Sequence, residues 1–143
     1  MSLSSIPRSL RQAVRERDIG RCRYCRLVQF GQGASFHIDH IIPRSKGGAT
    51  SLENLALQCP SCSLHKADRI EALDETSGGR ASLFHPLRDV WDEHFRLDTD
   101  GRCVGLSPVG RATVTALHMN DVLPRFARAC QIVSGLLDTR RVL

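Results

Sequence analysis

Two Cys-x-x-Cys pairs, Cys22 with Cys25 and Cys59 with Cys62, constrain this chain of 143 residues more than any other feature. A Cys-x-x-Cys turn places two thiolates on one edge of a metal ion, and two such turns complete the sulfur tetrahedron that zinc prefers. The 33 residues between Cys25 and Cys59 exceed the length of a simple ribbon, so a structured insertion is expected there. Such a site contributes about 10–16 kcal/mol of apparent binding free energy to folding. We therefore predict a fold held by structural zinc.

Disulfides and a redox-active dithiol are the competing interpretations of these cysteines. A redox pair needs one exposed thiol of low pKa rather than two matched pairs, and disulfides belong to oxidising compartments. The sequence has no apolar run of about 20 residues that would cross a membrane and no cationic, apolar leader, so we expect a soluble protein of the reducing cytoplasm. Cys103 and Cys130 lie outside the pairs and are expected to be small, buried apolar side chains.

Charge is unevenly distributed along the chain, whose formal net charge is +5. Residues 1–30 carry seven arginines and two acids, whereas residues 67–100 carry nine acids and four arginines. The N-terminal part is therefore the natural face for a polyanion. It begins with a predicted amphipathic helix that Ser5 caps, Pro7 opens and Gly20 ends. One face of this helix carries Arg8, Arg11 and Arg15, which form either a solvated surface or a grip on phosphate.

The rest of the sequence predicts short helices and strands separated by turns and loops. Residues 36–42 predict a strand that Pro43 stops, residues 44–51 a loop, and Pro60 the start of a helix that carries the second cysteine pair. Residues 51–57 are ambiguous between helix and strand. Beyond residue 68 the pattern predicts a hairpin over 70–84, a short helix over 86–95, a hairpin turning at 98–101, and two amphipathic helices over 108–119 and 121–137.

The insertion between the cysteine pairs contains His37, Asp39, His40 and Asn54. Alone, they indicate either a second metal site or polar groups on a strand. In their setting they resemble the HNH endonucleases of the ββα-metal class, in the variant with two zinc-binding Cys-x-x-Cys knuckles. The resemblance covers residues 20–68, about a third of the chain. The matching residues are Cys22 and Cys25, the run from Asp39 to Gly48, Asn54 and Leu55, the run from Cys59 to Cys62, and Lys66.

The resemblance implies an α+β fold with two parts. Residues 1–68 would form an N-terminal helix and a small zinc-stapled ββα-metal core. Residues 69–143 would form a mixed hairpin and helix C-terminal extension that packs on the core.

The resemblance also implies a role for each residue of the motif. His40 would be the general base, Asp39 a ligand of a catalytic Mg²⁺ or Mn²⁺ ion, and Asn54 would orient the base through the loop backbone. Lys66 would hold a phosphate. The implied partner is DNA, bound mainly through its phosphates by Arg8, Arg11, Arg15, Arg23 and Arg26.

Ser63 departs from the family pattern, which usually has His or Asn at this position. As a metal ligand, its hydroxyl either lowers the affinity for the ion, or is compensated by water or by the nearby His65. A second difficulty is that Asp39 and His40 are adjacent, and neighbours on a regular strand face opposite ways. Both reach one phosphate only if the strand bulges or ends there; otherwise His37 is the substitute ligand.

Three functions follow from the sequence. The first is a metal-dependent endonuclease acting on DNA. The second is a non-catalytic, zinc-stabilised nucleic-acid-binding module that has lost its third ligand at Ser63. The third is a zinc-stabilised protein-interaction module that uses the acidic stretch and the C-terminal helices.

Overall fold

The computed structural model describes residues 5–139. Within this range, five α-helices and three two-stranded antiparallel sheets form an α+β fold, as expected. The elements in chain order are α1 (Arg8–Asp18), β1 (His37–His40), β2 (Leu55–Gln58), α2 (Pro60–Lys66), β3 (Glu71–Asp74), β4 (Gly79–Ser82), α3 (Trp91–His94), β5 (Phe95–Leu97), β6 (Cys103–Gly105), α4 (Pro108–Ala116) and α5 (Val122–Ser134). No described helix is both long and apolar enough to span a membrane.

The first helix differs from its prediction at its N-terminal end. Pro7 precedes α1 rather than opening it, and no side chain in the described part of the chain caps the helix, so the predicted cap by Ser5 is wrong. The helix ends at Asp18 because Ile19 and Gly20 take the left-handed conformation, with φ of 44° and 69°. The buried Asp18 carboxylate accepts a hydrogen bond from the Leu57 N–H at 2.9 Å, which fixes α1 against β2.

The strands β1 and β2 lie between the two cysteine pairs, and the helix α2 carries Cys62 of the second pair. The two strands are antiparallel, with Asp39 opposite Ala56 and His40 opposite Leu55. All of β2 is buried, and two 3₁₀ turns, Arg44–Lys46 and Leu52–Asn54, lie in the connection between the strands. Helix α2 begins directly after β2 and packs against β1. The ambiguous residues 51–57 thus divide into a 3₁₀ turn and a strand.

The part of the chain after α2 is organised around α4, which packs against the hairpins β3–β4 and β5–β6. A Cβ on Gly110 would lie 1.9 Å from the His94 carbonyl oxygen, so α4 meets the preceding segment backbone to backbone. Asp74 of β3 accepts two hydrogen bonds from the Arg111 guanidinium, each 2.9 Å long. These bonds hold the pKa of Asp74 well below its usual range and join the first hairpin to α4.

Both halves of the chain contribute to the same apolar core. Tyr24, between the cysteines of the first pair, meets the Phe84 ring edge to face with centroids 6.3 Å apart. The Trp91 indole N–H donates to the Tyr24 carbonyl at 2.8 Å. The segment that holds the first cysteine pair therefore packs directly against residues 84–91.

Most later elements match their predictions. Both hairpins and both C-terminal helices are present, whereas the short helix predicted over residues 86–95 is reduced to Trp91–His94. Cys103 is buried, as predicted. Cys130 is exposed on α5, so its predicted burial is wrong. Its neighbours Leu123, Phe126 and Val133 are also exposed, which places this cysteine on the outer face of the helix.

Candidate metal and catalytic site

The four paired cysteines meet in the interior. Each is 1 % exposed, all four Sγ atoms lie within 4.8 Å of one another, and Cys25 Sγ is 3.7 Å from Cys59 Sγ. Tetrahedral zinc with bonds of about 2.3 Å separates its sulfur ligands by about 3.8 Å, so the spacing fits this ion. The N–H groups of Cys25 and Cys62 donate to the first sulfur of their own pair at 3.5 and 3.4 Å, which orients those sulfurs. All six cysteines are free.

The thiols of this cluster differ in the direction in which their pKa values are shifted. Hydrogen bonds with Cys22, Cys25 and Cys59, together with burial, raise the pKa of Cys62 well above its usual range. Hydrogen bonds with the other three cysteines lower the pKa of Cys25. Crowded buried thiols ionise together only when a cation balances their charge, and metal ligation requires thiolates. The cluster therefore has the ligands and the spacing to hold structural zinc.

A fully buried arginine lies beside the cysteine cluster. Arg128 of α5 donates from Nε to the Gly101 carbonyl at 2.8 Å and from Nη2 to the Met119 carbonyl at 2.5 Å. Its Nη1 atom has no hydrogen-bond partner among residues 5–139. Burial by itself would lower the pKa of Arg128, but the negative charge of neighbouring cysteines, Cys25 first, raises it. The guanidinium therefore remains charged in the interior, next to the thiols.

One face of β1 brings together a carboxylate, an imidazole and a hydroxyl. His37 and Asp39 share this face because side chains alternate along a strand. Both meet Ser63 of α2, whose hydroxyl donates to Asp39 Oδ2 and lies 3.3 Å from His37 Nδ1. The three residues that the sequence suggested as ligands of one ion are thus neighbours.

His40 is the last residue of β1. The strand therefore ends where it must if Asp39 and His40, which are neighbours in sequence, are to reach one phosphate. Its Nε2 atom lies 2.8 Å from Thr50 Oγ1. His40 and Asp39 line the same open cavity of about 350 Å³, together with Arg11. Burial, followed by the positive charge of Arg44, lowers the pKa of His40, so the imidazole is neutral near neutral pH.

Asn54 fixes the backbone that follows His40. Its side chain accepts from the Ile42 N–H at 2.9 Å and donates to the carbonyls of Ile42 and Ala49 at 2.9 and 2.8 Å. Gly48 makes this bracing possible, because a Cβ there would lie 1.7 Å from the Ile42 oxygen and 2.8 Å from the Asn54 amide nitrogen. A glycine is therefore required at position 48.

Lys66 lines a different pocket, together with Ile41 and Ile42. The residue is 3 % exposed, and its ammonium group is 3.4 Å from the His40 carbonyl oxygen. Burial lowers the pKa of Lys66 to about 8. The structure gives this lysine a contact with the backbone of His40, and the phosphate contact implied by the resemblance stays a prediction.

A family model described as HNH endonuclease matches residues 22–69, which include both cysteine pairs, β1, β2 and α2. Residues 22–69, called the HNH segment below, are therefore similar to the HNH endonucleases. The match covers about a third of the chain. No curated protein matches the chain.

The five arginines proposed to contact DNA differ in their positions around the HNH segment. Arg11 lines the cavity of Asp39 and His40, and Arg8 and Arg15 are exposed on the same helix. Arg23 donates to the Pro86 carbonyl at 2.8 Å, and Arg26 stacks on the Trp91 ring at 4.3 Å. The last two guanidinium groups thus have partners within the protein.

Two further residues of the HNH segment occupy positions that sequence reasoning did not give them. Thr50, which contacts His40, follows a glycine-rich loop, and no sequence signal marks it. Compensation by His65 was one of the alternatives for a weak ligand at Ser63. Its Nδ1 lies 2.8 Å from the Ser61 carbonyl and its ring stacks on His118 at 4.0 Å. His65 therefore contacts the C-terminal part of the chain.

Proposed function

We propose that this protein is a metal-dependent endonuclease that hydrolyses DNA phosphodiester bonds, with structural zinc on its four paired cysteines. The observation that carries the proposal is that β1 ends at His40, so that His40 and Asp39 face one cavity within a segment of the HNH family. A single strand end thus supplies both a neutral base and a carboxylate.

His40 would take a proton from the attacking water, for which it must be unprotonated. Burial favours that form, and the bonds of Asn54 to Ile42 keep the following backbone in place. Asp39 would hold Mg²⁺ or Mn²⁺ with Ser63 beside it, since carboxylate and hydroxyl oxygens suit these hard ions. A bound ion would stabilise negative charge on the phosphate and the leaving oxygen.

DNA would approach along α1. Arg11 lies at the cavity itself, and Arg8 and Arg15 extend the positive charge along the exposed side of the helix. Contacts of this kind are made to phosphates and carry no sequence information. We therefore propose binding that depends strongly on salt.

The test uses purified protein and supercoiled plasmid, with Mg²⁺, with Mn²⁺, and with EDTA at a concentration that leaves the zinc bound. Nicked or linear products are expected with either ion and not with EDTA. Binding of the same plasmid at low salt, measured in parallel, distinguishes the alternative. Tight binding with no product in any metal would favour a non-catalytic nucleic-acid-binding module. The bond from Ser63 to Asp39 favours this second candidate, because it occupies one carboxylate oxygen.

Replacing Ser63 with asparagine is expected to lower the Mn²⁺ concentration for half-maximal cleavage. An amide oxygen is a better ligand than a hydroxyl, and changes around a metal alter its affinity by about tenfold or more. Ser61→Asn is the matched control. Ser61 is on the same helix, but its hydroxyl lies 3.5 Å from His65 Nδ1 and not beside Asp39. An equal Mn²⁺ requirement in Ser63→Asn and the wild type would show that position 63 does not contact the ion.

Arg128→Met is expected to weaken zinc binding by about tenfold or more, because it removes a buried positive charge near the thiolates. Two unit charges about 10 Å apart interact by about 1.7 kcal/mol at an effective dielectric constant of about 20. Zinc with four thiolates is anionic, and methionine keeps the length of the side chain but not its charge. Competition with a chromophoric chelator measures the change. Arg125→Met is the control, because this arginine of the same helix pairs with the exposed Asp100 instead. Unchanged zinc affinity in Arg128→Met would exclude the guanidinium as a counter-charge.

A further inference from the structure

A second group of potential metal ligands lies outside the cavity of Asp39 and His40. His65 of α2, His118 and Asp121 each offer one ligand atom, and these three atoms lie within 4.8 Å of one another. The two imidazole rings stack with centroids 4.0 Å apart and planes inclined by 20°. His118 Nδ1 lies 3.3 Å from Asp121 Oδ2. His65 is half-buried and the other two residues are exposed, so an ion from solvent can reach the group.

The hydrogen bond of His65 leaves its other ring nitrogen available to a metal. Nδ1 lies 2.8 Å from the Ser61 carbonyl, which accepts a hydrogen bond and cannot donate one. Nδ1 must therefore carry the proton, and Nε2 keeps its lone pair in the neutral ring. A backbone carbonyl bonded to one nitrogen is the usual support of a histidine whose other nitrogen binds a metal.

We propose that His65, His118 and Asp121 bind a transition-metal ion of the Zn²⁺ or Co²⁺ type. Two imidazoles and one carboxylate suit these borderline ions, whereas Mg²⁺ and Ca²⁺ prefer oxygen ligands alone. Three protein ligands leave a position for water. To bind one ion, the two stacked rings must turn so that a nitrogen of each comes within the roughly 2.0–2.1 Å bond length of zinc.

The proposed site would join two parts of the chain. His65 belongs to the HNH segment, whereas His118 and Asp121 lie in the connection between α4 and α5. Arg69 already spans this junction, because its guanidinium donates to the carbonyls of both His65 and Ala116. A bound ion would therefore stabilise the contact between α2 and the C-terminal helices, apart from any role in cleavage.

The experiment titrates Co²⁺ into untagged protein whose cysteine site is filled with zinc. About one equivalent is expected to bind at this group, in addition to any Co²⁺ near Asp39, with visible bands typical of nitrogen and oxygen ligands and without the near-ultraviolet absorption of cobalt thiolates. His118→Asn and Asp121→Asn are expected to abolish this binding. Both variants suit the backbone, because Asn tolerates the positive φ of 52° at His118 and the position before a helix at Asp121.

Asp39→Asn is the control that separates this site from the proposed catalytic ion, and it should retain the cobalt signal that His118→Asn and Asp121→Asn lose. Loss of the signal in Asp39→Asn, with retention in His118→Asn and Asp121→Asn, would overturn the proposal and assign the ion to the catalytic cavity. Absence of an additional equivalent in the wild type at saturating Co²⁺ would also overturn it. Neither result depends on whether the protein cleaves DNA.

Discussion

His40→Ala is expected to lower the rate of plasmid cleavage by about 10²–10⁴-fold, the usual contribution of a general base. The alanine removes the imidazole that faces the cavity but leaves the strand end, the Asn54 bonds to Ile42 and the cysteine cluster unchanged. Single-turnover cleavage with saturating Mg²⁺ or Mn²⁺ measures the effect on the chemical step.

Zinc content, the thermal unfolding midpoint and plasmid binding serve as controls for His40→Ala, and all three should match the wild type. The double variant of His40→Ala and Asp39→Asn should lower the cleavage rate by much less than the product of the two single reductions. The effects of residues that act as one unit are not additive. Cleavage at the wild-type rate in His40→Ala would rule out His40 as the base and leave the cavity without an assigned proton acceptor.

Removal of the structural metal is expected to abolish the native fold. Cys62→Ser, or treatment with a strong chelator, loses about 10–16 kcal/mol of apparent metal-binding free energy, while a domain is usually stable by only about 5–15 kcal/mol. The loss should extend beyond the HNH segment, because Tyr24 between two of the cysteines packs on Phe84 and accepts a bond from Trp91. Circular dichroism and thermal unfolding measure the result.

Cys130→Ser is the matched control for Cys62→Ser, because Cys130 is exposed and lies outside the cluster. It should keep the metal content and the unfolding midpoint of the wild type. A Cys62→Ser protein that unfolds cooperatively at the wild-type temperature would show that the apolar core alone sustains the fold.

Local patterns in the sequence were sufficient to predict much of the fold. The cysteine spacing predicted a cluster because two tight turns can present their sulfurs to only one ion, and the structure brings the four together. Pro60 and the Asp98–Gly101 turn predicted α2 and the second hairpin because they act within a few residues. Ser5 failed as a cap because Pro7, closer to the helix, takes the flanking position.

Contacts between distant segments could not be predicted in this way. Arg23 was as plausible a phosphate ligand as Arg11 until folding placed the Pro86 carbonyl beside it. His65 is close to Ser63 in sequence, but the turn of a helix separates their directions and gives His65 the ring of His118 as its neighbour. Nothing local marks Arg128, which is buried and donates to the carbonyls of Gly101 and Met119.

The position of Arg128 has a consequence for the order in which the protein is made. All four thiols precede it in the chain, and the last of them is Cys62. On the ribosome, a nascent chain can therefore complete the sulfur cluster well before the guanidinium emerges. Capture of the metal and neutralisation of its charge would then be two separate events during translation, and a chain terminated before α5 would lack the buried positive charge that Arg128 brings near the thiols.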